Sequence, residues 1–363
     1  MGETEHSDAV APTPPGAHNL PWPPPDSVAV VGAGAWGTAV ANLLAGKSIH
    51  VDLWVYEPEL CDIMARMSEN VLYLPGVRLD HRVQPSSDLS AVVSGKSLVV
   101  FMCPSQVLRS VAGAAAPALA DGAIVVCGSK GREARTLMLL PEVLEDVLGR
   151  RRLQDTAFLS GPSFAREVAR GQPTSVAVAA RDMRVAEHVR RVFETDTFTP
   201  YANPDVVGVE VCGAVKNVIA IAAGICGGLR YGHNTRAALM TRGLGEMIKL
   251  GTAMGANPLT FSGLAGFGDL VLTCTSPLSR NTTLGERLGR GETLADILAT
   301  VHSVAEGVDT AKSVHNLSLK YHLDMPICNQ VYQVLHEGSP TEDFVSEVIA
   351  RDKRHDVGRV QVT

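Results

Sequence analysis

Lys216 and Asn217 stand side by side in the middle of Gly208 to Gly228, a run that is otherwise almost entirely small and apolar. A helix that is hydrophobic all round belongs inside a protein, and lysine is almost never fully buried without a partner. Lys216 is therefore expected to face a substrate pocket and to handle a proton there. Asp269 lies in Gly263 to Thr273, a second glycine-rich apolar stretch, and is its only carboxylate. It could pair with Lys216, fixing its position and holding its charge; the competing reading is a helix N-cap ahead of Leu270. Lys130 sits between glycines in Gly128-Ser-Lys-Gly131, directly after an apolar run. Gly161 and Ser163, in Ser160 to Ala165, bring free amides and a hydroxyl to the start of a helix, where Ser163 also reads as an N-cap. Ser279-Arg280-Asn281 opens another helix with a guanidinium fork, an amide and helix-terminal N–H groups. Together these make a phosphate site in physical terms, although Ser and Asn are also the usual caps.

The elements that must position these groups begin with a nucleotide fingerprint. Ser27 to Gly32 is a β-branched run ending in glycine, and Gly32-Ala-Gly34-Ala35-Trp36-Gly37 follows at once, ahead of a helical stretch to Gly46. One glycine allows the tight turn, one the approach of backbone to a pyrophosphate, and one the packing of helix on strand. The helix N-terminus supplies amide donors for the phosphates. Trp36 reads equally as a core residue or as a side chain laid against the cofactor. A second strand, Val51 to Tyr56, ends at Glu57, twenty residues past Gly37, with no cation until Arg66. An acid at that tip accepts a hydrogen bond from a free ribose hydroxyl, so Tyr56 and Glu57 point to NAD, with NADP as the alternative.

Further runs at Leu98 to Cys103, Ala123 to Cys127, Ala157 to Ser160 and Ser175 to Ala180 read as strands separated by helices. The fold class expected is α/β: a doubly wound Rossmann-type parallel sheet followed by an all-α C-terminal domain. Alternation stops after Asn203-Pro204, so the domains divide near 205. The layout is a proline-rich disordered tail (1–27), a dinucleotide-binding domain (28–205), a helical substrate and catalytic domain (206–350) and a flexible tail (351–363). Pro12, Pro14, Pro15, Pro21, Pro23, Pro24 and Pro25 dominate the first of these and leave little to build a core.

At 363 residues, two domains are the natural expectation. A composition of 45% hydrophobic and 19% charged residues is that of an ordinary globular protein, and a net charge of −6 gives no sign of a nucleic-acid surface. The apolar runs, such as Val218 to Leu229, read as too short and glycine-rich to span a bilayer. Seven scattered cysteines with no CxxC pair read as reduced, buried thiols, with no metal site. The tail lacks the features of a signal or transit peptide, and the chain ends without a peroxisomal tripeptide, so a cytoplasmic location is expected.

Taken together, these residues resemble the soluble NAD(P)-dependent glycerol-3-phosphate dehydrogenase family, of the bacterial and glycosomal type. The likeness runs from about Val28 to about Leu335. It is carried by residues 32–39, 128–131, 160–165, 213–218, 263–270, 272–275 and 279–281 in order. The resemblance implies reversible hydride transfer between nicotinamide and dihydroxyacetone phosphate, giving sn-glycerol 3-phosphate. Glycerolipid supply and NADH reoxidation would be the roles, and the protein would be a homodimer. It implies Lys216 as the proton donor and acceptor, Lys130 as a contact to cofactor and substrate oxygen, and Asp269 as the group orienting Lys216. Arg280 and Asn281, with Ser279, would hold the substrate phosphate, and Arg280 would also touch the cofactor. Gly161 and Ser163 would line the substrate side, with Ala165 and Glu306 at the cofactor. Many bacterial members carry arginine or histidine at the position of Tyr56 and serine at that of Ala35; both departures favour NAD. Two other readings stand beside this one: a relative acting on another β-hydroxyacid or polyol phosphate, and a catalytically silent nucleotide sensor.

Overall fold

The computed structural model describes residues 20–300, 305–344 and 348. The first nineteen residues of the proline-rich tail, the C-terminal tail 351–363 and Val304 lie outside the described residues. The remainder of the first tail, 20–26, is placed against the domain, with the Trp22 ring 5.7 Å from that of His188.

Eight strands form one sheet: β1 (Ser27–Val31), β2 (His50–Trp54), β3 (Val83–Ser86), β4 (Leu98–Phe101), β5 (Ile124–Cys127), β6 (Thr156–Ser160), β7 (Thr174–Ala180) and β8 (Phe198–Asn203). Their order is β3-β2-β1-β4-β5-β6-β7-β8. Pairing is parallel from β3 through β6, reverses between β6 and β7, and is parallel again between β7 and β8. The doubly wound domain is as expected, with two corrections. β7 runs antiparallel to β6, because a run such as Ser175 to Ala180 records burial but not direction. β3 and β8 were not anticipated, because Pro85 and Pro200 interrupt their apolar patterns. Proline is tolerated there because both strands are sheet edges.

Side chains of β1 and β4 alternate between two cores. Val28, Val30, Leu98 and Val100 face a cluster under the helices Ala35–Ala45 and Met183–Phe193. Ala29, Val31, Val99 and Phe101 face a cluster continuous with the helical domain. All seven cysteines are buried and free.

The helical domain is wrapped around one 23-residue helix, Val206–Gly228, of which all but Val207, Gly227 and Gly228 are buried. By length and composition this helix could cross a bilayer, which corrects the expectation that every apolar run is too short. Its apolar surface is instead covered by protein, by helices His233–Ala253, Arg280–Gly289 and Gly307–Lys320 among others. The contact with Arg280–Gly289 is backbone on backbone. A Cβ on Gly224 would stand 2.1 Å from the Thr282 carbonyl oxygen, and one on Gly285 2.1 Å from that of Ile221. Gly228 and Gly289 repeat the arrangement one turn on, at 2.3 Å and 2.4 Å from the carbonyl oxygens of Glu286 and Ile225. Side chains larger than hydrogen would force these helices apart.

Candidate active site

The central helix starts under tight control. Asp205 is its N-cap: one carboxylate oxygen accepts from Gly208 N–H, and the other from Asn257 N–H and the Thr260 hydroxyl. The same carboxylate therefore ties the helix start to the segment that leads towards Asp269. Three turns further along, Lys216 is 5% exposed, and its ammonium reaches Asp269 Oδ1 at 3.0 Å and Thr273 Oγ1 at 2.8 Å. Glu210, the other charged residue of the helix, is also buried, which pushes its carboxyl up to about 8.

Asp269 lies at the first position of helix Asp269–Thr275, and the N-cap is Gly268, so the capping reading is not what the structure shows. Its side chain turns to two cations instead. Oδ1 takes Lys216, and Oδ2 takes the Lys130 ammonium at 2.9 Å. Lys130 also donates to the Gly161 carbonyl at 3.0 Å. Lys130 belongs to the loop after β5 and Lys216 to the helical domain, so one buried carboxylate joins the two domains. Burial lowers the Lys216 pKa; Asp269 pulls it back up, and Lys130 pushes it down. Burial alone would raise Asp269, but the two lysines outweigh it and hold the carboxyl below the usual range. The result is a desolvated ammonium weakened as a cation and oriented by two acceptors, as acid–base chemistry near neutral pH requires.

Thr273 was not anticipated; it lies one turn beyond Asp269, accepts from Lys216 and donates to the Asp269 carbonyl at 2.6 Å. A hydroxyl four residues after the acid was the available signal.

The expected anion site is more divided. Ser279 is the N-cap of Arg280–Gly289, and its oxygen accepts from Thr282 N–H and the Thr282 hydroxyl. Asn281 is buried and donates to Asn217 Oδ1 at 3.0 Å, while its own oxygen accepts from Gly307 N–H at 3.0 Å. Arg280 is exposed at the first helical position. Asn217 and Asn281 thus form a strut between helices, and Arg280 with the helix N-terminus is the part open to an anion. Glu306 follows Ala305 at the start of helix Gly307–Lys320, and burial pushes its carboxyl up against the pull of Arg280, Lys216 and Lys130.

On the nucleotide side, Gly32 has φ +115°, and a Cβ there would meet Cys103 N at 2.9 Å; a Cβ on Gly37 would stand 1.8 Å from the Gly32 carbonyl oxygen. Gly34, by contrast, faces open space and caps helix Ala35–Ala45 without a side-chain hydrogen bond. The first turn of that helix, Ala35 to Gly37, lies directly after β1, at the end of the sheet where doubly wound folds bind nucleotides. Trp36 packs at 6.4 Å from Phe198, and its indole N–H is buried with no hydrogen-bond partner among the described residues. These features fit a dinucleotide. Tyr56 is 74% exposed, and Glu57 accepts a hydrogen bond from the Tyr73 hydroxyl at 2.7 Å. Gly161 has φ +141° where β6 passes β7. Ser163 donates to the Gly161 carbonyl at 3.0 Å and does not cap helix Ala165–Ala169, whose N-cap is Phe164. Ala165 opens that helix, which lies against Ala35–Ala45.

The profile of the NAD-dependent glycerol-3-phosphate dehydrogenase N-terminus matches residues 27–186, and that of the C-terminus residues 205–346. A glycerol-3-phosphate dehydrogenase [NAD(P)+] of Geobacter sulfurreducens is 51% identical over 327 residues, covering 90% of this chain and 98% of the relative. One from Moorella thermoacetica is 48% identical over 332 residues, covering 92% and 98%. The crystal structure of glycerol-3-phosphate dehydrogenase from Coxiella burnetii superposes with a TM-score of 0.85 at 37% identity, covering 90% of this chain and 99% of that one. The chain belongs to the NAD-dependent glycerol-3-phosphate dehydrogenase family.

Proposed function

We propose that the chain interconverts dihydroxyacetone phosphate and sn-glycerol 3-phosphate with Lys216 as its acid–base residue. The observation that carries this is the shared carboxylate: Asp269 holds Lys216 and Lys130 within 3.0 Å and 2.9 Å of its two oxygens, at the junction of the two domains. A bound nicotinamide supplies the hydride acceptor or donor at C2 of the substrate. The protein does the rest. Lys216 gives a proton to the oxygen on C2 during reduction and takes it back during oxidation. Lys130 stabilises negative charge on that oxygen in a water-poor site. Asp269 and Thr273 hold the Lys216 ammonium in one direction, so its orientation is set before substrate arrives. Arg280 and the amides at the start of its helix receive the phosphate.

Glu57 at the tip of β2 supports NAD over NADP, since a carboxylate accepts from a ribose diol and repels a 2′-phosphate. Glycerolipid supply, NADH reoxidation and a homodimeric state accompany this reading on family likeness alone, and a cytoplasmic location on the sequence features given above.

The test is NADH oxidation driven by dihydroxyacetone phosphate, in wild type and Lys216→Ala. Removing a general acid is expected to cost about 10²–10⁴ in kcat, with NADH affinity unchanged. Near-full activity in the variant would end the acid–base assignment and leave the reaction standing. A folded wild type that binds NADH without turnover would end the reaction assignment itself.

A further inference from the structure

We infer that Tyr73, held by Asn70, is a determinant of nucleotide selection, acting by positioning Glu57. The inference rests on Glu57 being the ribose acceptor proposed above.

Glu57 is the N-cap residue of helix Pro58–Met67, yet its side chain makes no capping hydrogen bond. The carboxylate is turned aside and takes the Tyr73 hydroxyl on Oε1 at 2.7 Å. Among the described residues nothing occupies Oε2. That hydrogen bond is the largest cause raising the Tyr73 phenol pKa, so the group stays a donor. Tyr73 itself is locked in place. Asn70, fully buried, accepts from Tyr73 N–H at 3.0 Å and donates to the Ala33 carbonyl at 2.7 Å and to Thr38 Oγ1 at 2.8 Å. Ala33 lies between the first two glycines of the fingerprint. The turn continues along the first helix, where the Asn42 side chain donates to the Arg78 carbonyl and accepts from Asp80 N–H.

One bracket therefore joins the loop that takes the pyrophosphate to the acid that takes the ribose. A carboxylate fixed through one oxygen presents the other in a constant direction, which suits the two hydroxyls of a ribose and keeps a negative charge where a 2′-phosphate would have to sit. Without the tyrosine hydroxyl, Glu57 is free to rotate towards solvent, losing the acceptor and relaxing the repulsion together.

The experiment is calorimetric binding of NADH and NADPH, without substrate, to wild type, Tyr73→Phe, Glu57→Gln and the double variant. Tyr73→Phe keeps the ring and removes only the hydroxyl. NADH binding is expected to weaken about five- to tenfold, the size of one hydrogen bond of ordinary strength. NADPH binding should change less, so the preference narrows. Glu57→Gln should narrow it further, and the double variant should match Glu57→Gln, since the two residues act as a unit. If Tyr73→Phe weakens both nucleotides equally while Glu57→Gln narrows the preference, the bracket is overturned and Glu57 keeps its role. If Glu57→Gln leaves the preference unchanged, the ribose-acceptor reading falls, and the bracket with it.

Discussion

Two regions of this molecule depend on glycine for close approach, and they do so for opposite reasons. At Gly224, Gly228, Gly285 and Gly289 the missing side chain is already replaced by protein: a Cβ would stand 2.1–2.4 Å from a carbonyl oxygen of the facing helix. At Gly34 a Cβ would meet no atom within 4 Å among the described residues beyond its own chain neighbours. The first region uses glycine to bring two helices together, the second to leave space beside the start of a helix. The difference teaches that one residue type serves two purposes: at the helix contact its neighbour is the backbone of the facing helix, whereas at Gly34, inside the fingerprint between strand and helix, the space beside it is open.

The largest effect on the fold is expected at the helix contact. Gly285→Ala should destabilise the protein by about 3 kcal/mol, because the collision is with backbone and cannot be relieved by a rotamer. Urea unfolding would read it, and a stable variant would break the comparison. Gly34→Ala should leave stability within about 0.5 kcal/mol yet weaken NADH binding roughly tenfold, equivalent to about 1.4 kcal/mol. Equal destabilisation by the two substitutions would mean that both glycines serve packing. The subtlest test uses the helix that carries Gly224 and Gly228. On the acid–base role proposed above, Lys216 is protonated for ketone reduction and neutral for alcohol oxidation. Burial lowers its pKa, so kcat/KM for reduction should fall, and that for oxidation rise, with a midpoint below the ordinary lysine value of about 10.4. Asp269→Asn removes the charge that raises the Lys216 pKa, so the midpoint should move lower still. A midpoint at or above the ordinary value in wild type would show that Lys216 is not desolvated during turnover.

Where a residue broke the local pattern, its burial and pairing were legible. The glycine fingerprint between strand and helix, a lysine in an apolar run and a lone aspartate among glycines each break a rule that ordinary packing obeys. What escaped depended on distance along the chain. Lys130 and Asp269 are 139 residues apart, so nothing local shows that one carboxylate serves both lysines. Asn281 has the type and place of a phosphate ligand, and what the sequence did not show is that its side chain also ties Asn217 to Gly307, with one of its two amide hydrogens. Ser279 was legible in both its readings, and the structure uses its oxygen as a cap. β3 and β8 hid behind prolines that only an edge permits. Tyr73 went unremarked because its partner lies at the tip of another strand.

The shared carboxylate has one more consequence, in terms of proton linkage. Asp269 owes its low pKa to both lysines at once, so a single proton on it weakens both contacts together. A group whose folded pKa is depressed lends stability above the unfolded carboxylate range and withdraws it as the pH falls through the folded value. One of the two contacts reaches across the domains, and the other holds Lys216, the residue proposed for acid–base chemistry. In acid, loosening of the domain junction and release of Lys216 are therefore the same titration.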